Sequence, residues 1–193
     1  MLIDTRSVAI DHLEDQGINV VYVYFDYKSR HTQTTTAIIA NLVKQLVSRL
    51  GTIPPEVESL YDQYACGGNR PDQAKFFQLL TLFLEKQSSN YHVVFDAVDE
   101  CSEDDKKDIL ELFANLQQSG FRLLISSRPH FNELRNNLTD TQTFEIFANG
   151  SDLRNYIIKR LNEARNKNEK LTAKCLELIN RAGGMQVPKY FIC

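Results

Sequence analysis

Six consecutive residues, Val20-Val21-Tyr22-Val23-Tyr24-Phe25, are β-branched or aromatic with no polar interruption. A strand that is apolar on every residue must be covered on both faces, which is the condition of strands in a parallel sheet. This is the longest clean apolar run in the chain. It is far short of the ~20 residues a membrane span needs, so no membrane partner is expected. His92 to Val98 and Phe121 to Ile125 read as further buried strands, and Phe144-Glu145-Ile146-Phe147 as a short fourth.

Helical patterns separate these runs. Residues 2–15 read as the end of a helix closed by Gly17. Ile38, Ile39, Leu42, Val43, Leu46, Val47 and Leu50 recur at three and four residues, an amphipathic helix stopped by Gly51 and Pro54-Pro55. A weaker helix is expected over 55–65. Pro71 suits the first position of the next one, which buries Phe76, Phe77, Leu80, Phe83 and Leu84. Ser102 and Asp105 form a capping-box pattern ahead of a helix with Ile109, Leu112, Phe113 and Leu116 inward. Further helices are expected over 151–161 and about 171–181. Strands alternating with helices predict an α/β fold, a parallel sheet with helices on both faces. In such sheets function gathers beyond the C-terminal ends of the strands.

Composition removes several function classes. A net charge of −3 over 193 residues gives no electrostatic case for nucleic acid or an anionic surface. Cys66, Cys101, Cys175 and Cys193 are scattered and form no C-x-x-C pair, which argues for free thiols and a cytoplasmic protein. The N-terminus carries Asp4, Arg6, Asp11, Glu14 and Asp15, so it does not read as a signal peptide. His12, His31, His92 and His130 have no metal-ligand spacing, and no G-x-S-x-G is present.

Two strand ends carry chemistry. The apolar strand at 92–98 contains Asp96 and is followed by Asp99 and Glu100. A buried strand has no use for a carboxylate at its tip unless a cation meets it. Magnesium held with nucleotide phosphates is one such cation, taking one or two carboxylates plus phosphate and water oxygens. Asp99 or Glu100 could then orient or deprotonate a water. Alternatively, the acids after Asp96 only favour a helix N-terminus through its dipole. Leu123-Leu124-Ile125-Ser126-Ser127-Arg128-Pro129 sends Arg128 to the same edge, where it can reach a phosphate or form a surface salt bridge. The glycine-rich loop G-x-x-x-x-G-K-[ST] that cradles nucleotide phosphates does not occur in these residues.

Taken in order, Val20 to Lys28, Gln33-Thr34-Thr35-Thr36, Val93 to Cys101, Leu123 to Pro129 and Asp152 to Ile157 resemble the NACHT domain of STAND-class P-loop NTPases. The nephrocystin-like version found in many filamentous-fungal proteins is the closer resemblance. It implies that Asp96 is a magnesium ligand, Asp99 and Glu100 the acidic pair near the water, and Arg128 a nucleotide-sensing arginine. Mg2+ with ATP or GTP is the implied cofactor. A homologous NACHT protein, or self-association, is the implied protein partner. Ala97 stands where many such domains have glycine. The resemblance further implies an incomplete NTPase core over 1–148 and the start of a helical lid domain over 149–193 with an aberrant tail. On this reading the chain is truncated before Met1 and after about Met185, and it lacks the phosphate-loop strand. In the family that strand lies between those at 121–126 and 143–147. Its loss predicts an exposed apolar edge at 121–126 and a marginal or partner-dependent fold. A non-catalytic relic acting through protein contacts is the competing expectation.

Overall fold

The computed structural model describes residues 8–67, 71–86, 91–128, 131, 133–147, 155, 158–159, 174, 177 and 186–192. Strands β1 (Asn19–Tyr24), β2 (Tyr91–Asp96) and β3 (Arg122–Ser127) form a parallel sheet with helices between them. This is the α/β fold that the alternating pattern predicts. Its register stacks Val21, Val93 and Leu123 in one row and Val23, Phe95 and Ile125 in the next. Helices α2 (Thr35–Leu50), α4 (Gln73–Lys86) and α5 (Lys106–Gln118) close over these rows. Phe95 meets Phe113 of α5 with ring centroids 4.5 Å apart. The alternate residues Val20 and Val94 face the other side, where Ile10 of α1 (Val8–Asp15) covers them. Helices therefore pack on both faces, and the continuous apolar runs of β1 and β2 follow from that double burial.

Local signals explain the ends of most elements. Thr34 caps α2 through its side-chain oxygen, and Gly51 ends it at φ 70°, a left-handed turn where a side chain is strained. Helix α3 (Pro55–Ala65) buries no residue completely, in keeping with its weak pattern. Two capping expectations fail. Helix α4 begins at Gln73, because Asp72 rather than Pro71 sets its start by accepting from Lys75 N at 2.9 Å. Helix α5 begins at Lys106 without a side-chain cap, so Ser102 and Asp105 form no capping box. The helices expected over 151–161 and 171–181 lie almost wholly outside the described residues, as does most of the proposed lid segment 149–193.

The largest departure is in the sheet itself. Strand β5 (Gln186–Ile192) lies between β3 and β4 (Gln142–Phe147), antiparallel to both, giving the order β1-β2-β3-β5-β4. The expected exposed edge at 121–126 is thus corrected: Leu124 to Ser127 pair with Lys189 to Ile192. The physical reason is backbone satisfaction, since a slot between two strands presents two rows of N–H and C=O groups. A β-rich segment from later in the chain, Tyr190-Phe191-Ile192, fills it. The sheet is mixed rather than wholly parallel, and the tail expected to be aberrant is one of its strands.

Part of the outer edge of β1 is covered by side chains. Gln45 of α2 accepts from Tyr22 N at 3.0 Å and donates to Tyr22 O at 2.7 Å. Gln33 donates to Tyr24 O at 2.7 Å and accepts from Asp26 N at 3.0 Å. Each side-chain amide bonds as the backbone of a neighbouring strand would.

Candidate functional site: the acidic turn after β2

Strand β2 delivers Asp96 to the C-terminal edge of the sheet. The chain then reverses at Ala97, whose φ of 56° is left-handed, and makes a single 3-10 turn over Val98–Glu100. Val98 is fully buried beneath the turn and fixes it to the core. Glu100 N donates to Ala97 O at 2.9 Å, and Cys101 N to Val98 O at 3.1 Å. An alanine in this conformation costs roughly 1 kcal/mol relative to glycine. That is why glycine suits the position.

Ser126, at the end of β3, ties the turn to the next strand. Its hydroxyl donates to an Asp96 carboxylate oxygen and accepts from Ala97 N at 2.9 Å. Ser126 is only 2% exposed. Sequence reasoning named Asp96 and Arg128 but passed over Ser126. The signal was its place at a strand tip, one strand over from Asp96, where a buried hydroxyl must find a partner.

Asp99, Glu100 and Arg128 form one cluster. Asp99 Oδ1 accepts from Arg128 N at 2.9 Å, and its Oδ2 lies 3.3 Å from Arg128 Nε. Glu100 Oε1 is 3.8 Å from a terminal nitrogen of Arg128, while its Oε2 accepts from Tyr27 N at 3.1 Å. The Asp99 side chain is 6% exposed and that of Arg128 62%. The Asp99 carboxylate is therefore the sheltered partner, and on the Arg128 side the guanidinium pair is weakened by solvent. Glu100 joins the loop after β1 to the turn after β2. Together they hold three strand ends at fixed separations.

The hollow here is small, about 350 Å³, lined by Tyr27, Arg30, Asp99, Glu100, Cys101, Glu103 and Arg128. That is near the low end for small-molecule pockets, ~300–1,000 Å³. Asp96 is not part of its lining. Hollows of about 610 and 650 Å³ lie along the β1 edge and between α3 and α4, and neither contains any of the four predicted site residues. Burial, reinforced by the charge of Glu103, pushes the Cys101 thiol up to about 11, so it is protonated and unreactive near neutral pH.

These residues fit a magnesium–nucleotide complex only in part. Among the described residues no three metal-ligating side chains converge, so these residues offer a bare ion no protein cage. Asp96 can offer one carboxylate, the share a protein commonly supplies when phosphates and water complete the shell. Both Asp99 oxygens are already engaged by Arg128.

Among the described residues no helix is long and apolar enough to cross a membrane. No curated protein and no solved structure matches the chain. The family model described as nephrocystin 3, N-terminal, matches residues 5–128. That interval carries β1, β2, β3, the acidic turn and Arg128, and the chain belongs to the nephrocystin 3 N-terminal family.

Proposed function

We propose that this chain is the carboxylate-and-arginine half of a NACHT-type nucleotide-binding module, of the STAND-class P-loop NTPases and the fungal nephrocystin-like type. The observation that carries this reading is the gathering of Asp96, Asp99, Glu100 and Arg128 beyond the ends of β2 and β3, within one family match. Magnesium bound with ATP or GTP supplies neutralisation of phosphate charge at such a site. Asp96 would hold the ion's protein side, with Ser126 fixing that carboxylate's orientation. Glu100 would orient a water and Asp99 would restrain Arg128. Arg128 would sense a terminal phosphate only by exchanging carboxylate partners for it, which makes binding weak. The absence of G-x-x-x-x-G-K-[ST] from these residues points the same way.

Calorimetric titration with MgATP and MgGTP tests the reading. Weak, saturable binding that is lost in D96N and weakened further in R128A is expected. Binding indifferent to D96N, or none at all, would defeat it. A second reading, a non-catalytic interaction module, draws support from β5, which fills the slot where the family's phosphate-loop strand would lie.

A further inference from the structure

The central slot of the sheet is filled by its least suited strand. β1, β2 and β3 run parallel, and β4 shares the direction of β3, since both oppose β5. β5 alone runs the other way. Its ladder to β3 covers Lys189 to Ile192 and stops before Pro188. Its ladder to β4 slips in register between Glu145 and Phe147, the stretch facing the part of β5 around Pro188. Proline has no N–H to donate and belongs at edges, strand starts or bulges rather than in a strand with two neighbours. Residues 148–185 separate β5 from β4, so β5 is held by its pairing and not by a tight turn.

We propose that β5 is exchangeable, and that the slot between β3 and β4 accepts residues 186–192 of a second copy of this chain. Every backbone bond that seats β5 in its own chain is offered equally by an identical chain. The internal strand has the advantage of belonging to the same chain. The cost of closing a tether changes slowly with length, and tethered segments compete at effective concentrations of roughly millimolar. Exchange of an identical element between copies is a low-cost route to a dimer. The occupant is a second copy because 186–192 is the segment already seen to fit. This inference is independent of nucleotide binding.

Register-directed disulfides test it, in a background of C66S, C101S, C175S and C193S. Leu124 and Ile192 are direct partners across β3 and β5, at a separation that antiparallel pairs and disulfides share. Chains carrying only L124C are mixed with chains carrying only I192C and oxidised. A crosslinked heterodimer is expected, its ratio to monomer rising about tenfold for a tenfold rise in concentration, as mass action requires. Chains with L124C mixed with chains carrying Q186C, whose partner is Phe147, should give none. The double variant L124C/I192C reports whether β5 occupies the slot. If that variant closes within single chains and no heterodimer forms at any concentration, β5 stays with its own chain and the proposal is overturned. If neither crosslink forms, β5 does not occupy the slot, and the proposal fails equally.

Discussion

Replacing Ser126 by alanine should unfasten the acidic turn from the sheet. The substitution removes one buried hydroxyl that donates to Asp96 and accepts from Ala97 N. A hydrogen bond to a charged group contributes ~1.5–3 kcal/mol, and a backbone N–H left without a partner costs ~1–3 kcal/mol. Asp96 is half-buried, so water recovers part of the first loss. The sum is about 3 kcal/mol. For a domain of this size ~2–4 °C of Tm accompany each kcal/mol, which gives roughly 6–12 °C. Urea unfolding and thermal melting followed by circular dichroism would measure it. D96N keeps an acceptor oxygen and should lose only about 1 kcal/mol. D96A and S126A together should be less than additive by on the order of 1 kcal/mol, because each removes the same bond. A midpoint for S126A within measurement error of the parent, or strict additivity with D96A, would refute the reasoning.

Ala97→Gly relieves the left-handed φ of 56° at the turn, and should raise stability by about 0.5–1 kcal/mol after the entropy of the added glycine is counted; a lower urea midpoint than the parent would contradict it. In a chain carrying C175S and C193S, exposed Cys66 should react first with a thiol-exchange reagent at pH 8, with Cys101 following only on unfolding or near pH 11; equal rates at pH 8 would count against its burial. The unfolded thiol ionises near 9.0 and the folded one near 11. Stability from the neutral Cys101 is therefore intact below pH 9 and lost as pH climbs through that window, and C101A should flatten the loss. Asp99→Ala should cost about 2 kcal/mol by stripping the acceptor from Arg128 N, whereas Arg128→Ala should cost ~0–1 kcal/mol because its guanidinium is exposed; equal losses in chemical denaturation would show that the exposed pair matters as much as the sheltered bond.

The parts of the fold that could be read from sequence are those fixed by local pattern. Val20 to Phe25 and Ile38 to Leu50 declare their periods without help, and Asp96 is conspicuous as an acid at the tip of an apolar strand. The starts of α4 and α5 were less legible, because Asp72 and Pro71 are both good start signals one position apart, and geometry decides between them. The pairing of Arg128 with Asp99 could be offered only as one of two fates, since reach depends on how the strands splay. β5 was invisible to local reading. Nothing in Gln186 to Ile192 states that it will cross the molecule and enter between β3 and β4. That information resides in the empty slot, which exists only once the other strands are in place.

The two glutamines that bond to the outer edge of β1 also limit how molecules of this kind can add to one another. A sheet grows into a fibre when each copy has two adhesive sides, one to receive and one to give. With Gln45 on both backbone groups of Tyr22 and Gln33 on Tyr24 O, the β1 side has less to give. The other rim is β4. Apart from exchange of β5, growth at the sheet rims then joins β4 to β4 about a two-fold axis. Such a union uses up both sticky rims at once, and it ends at two molecules.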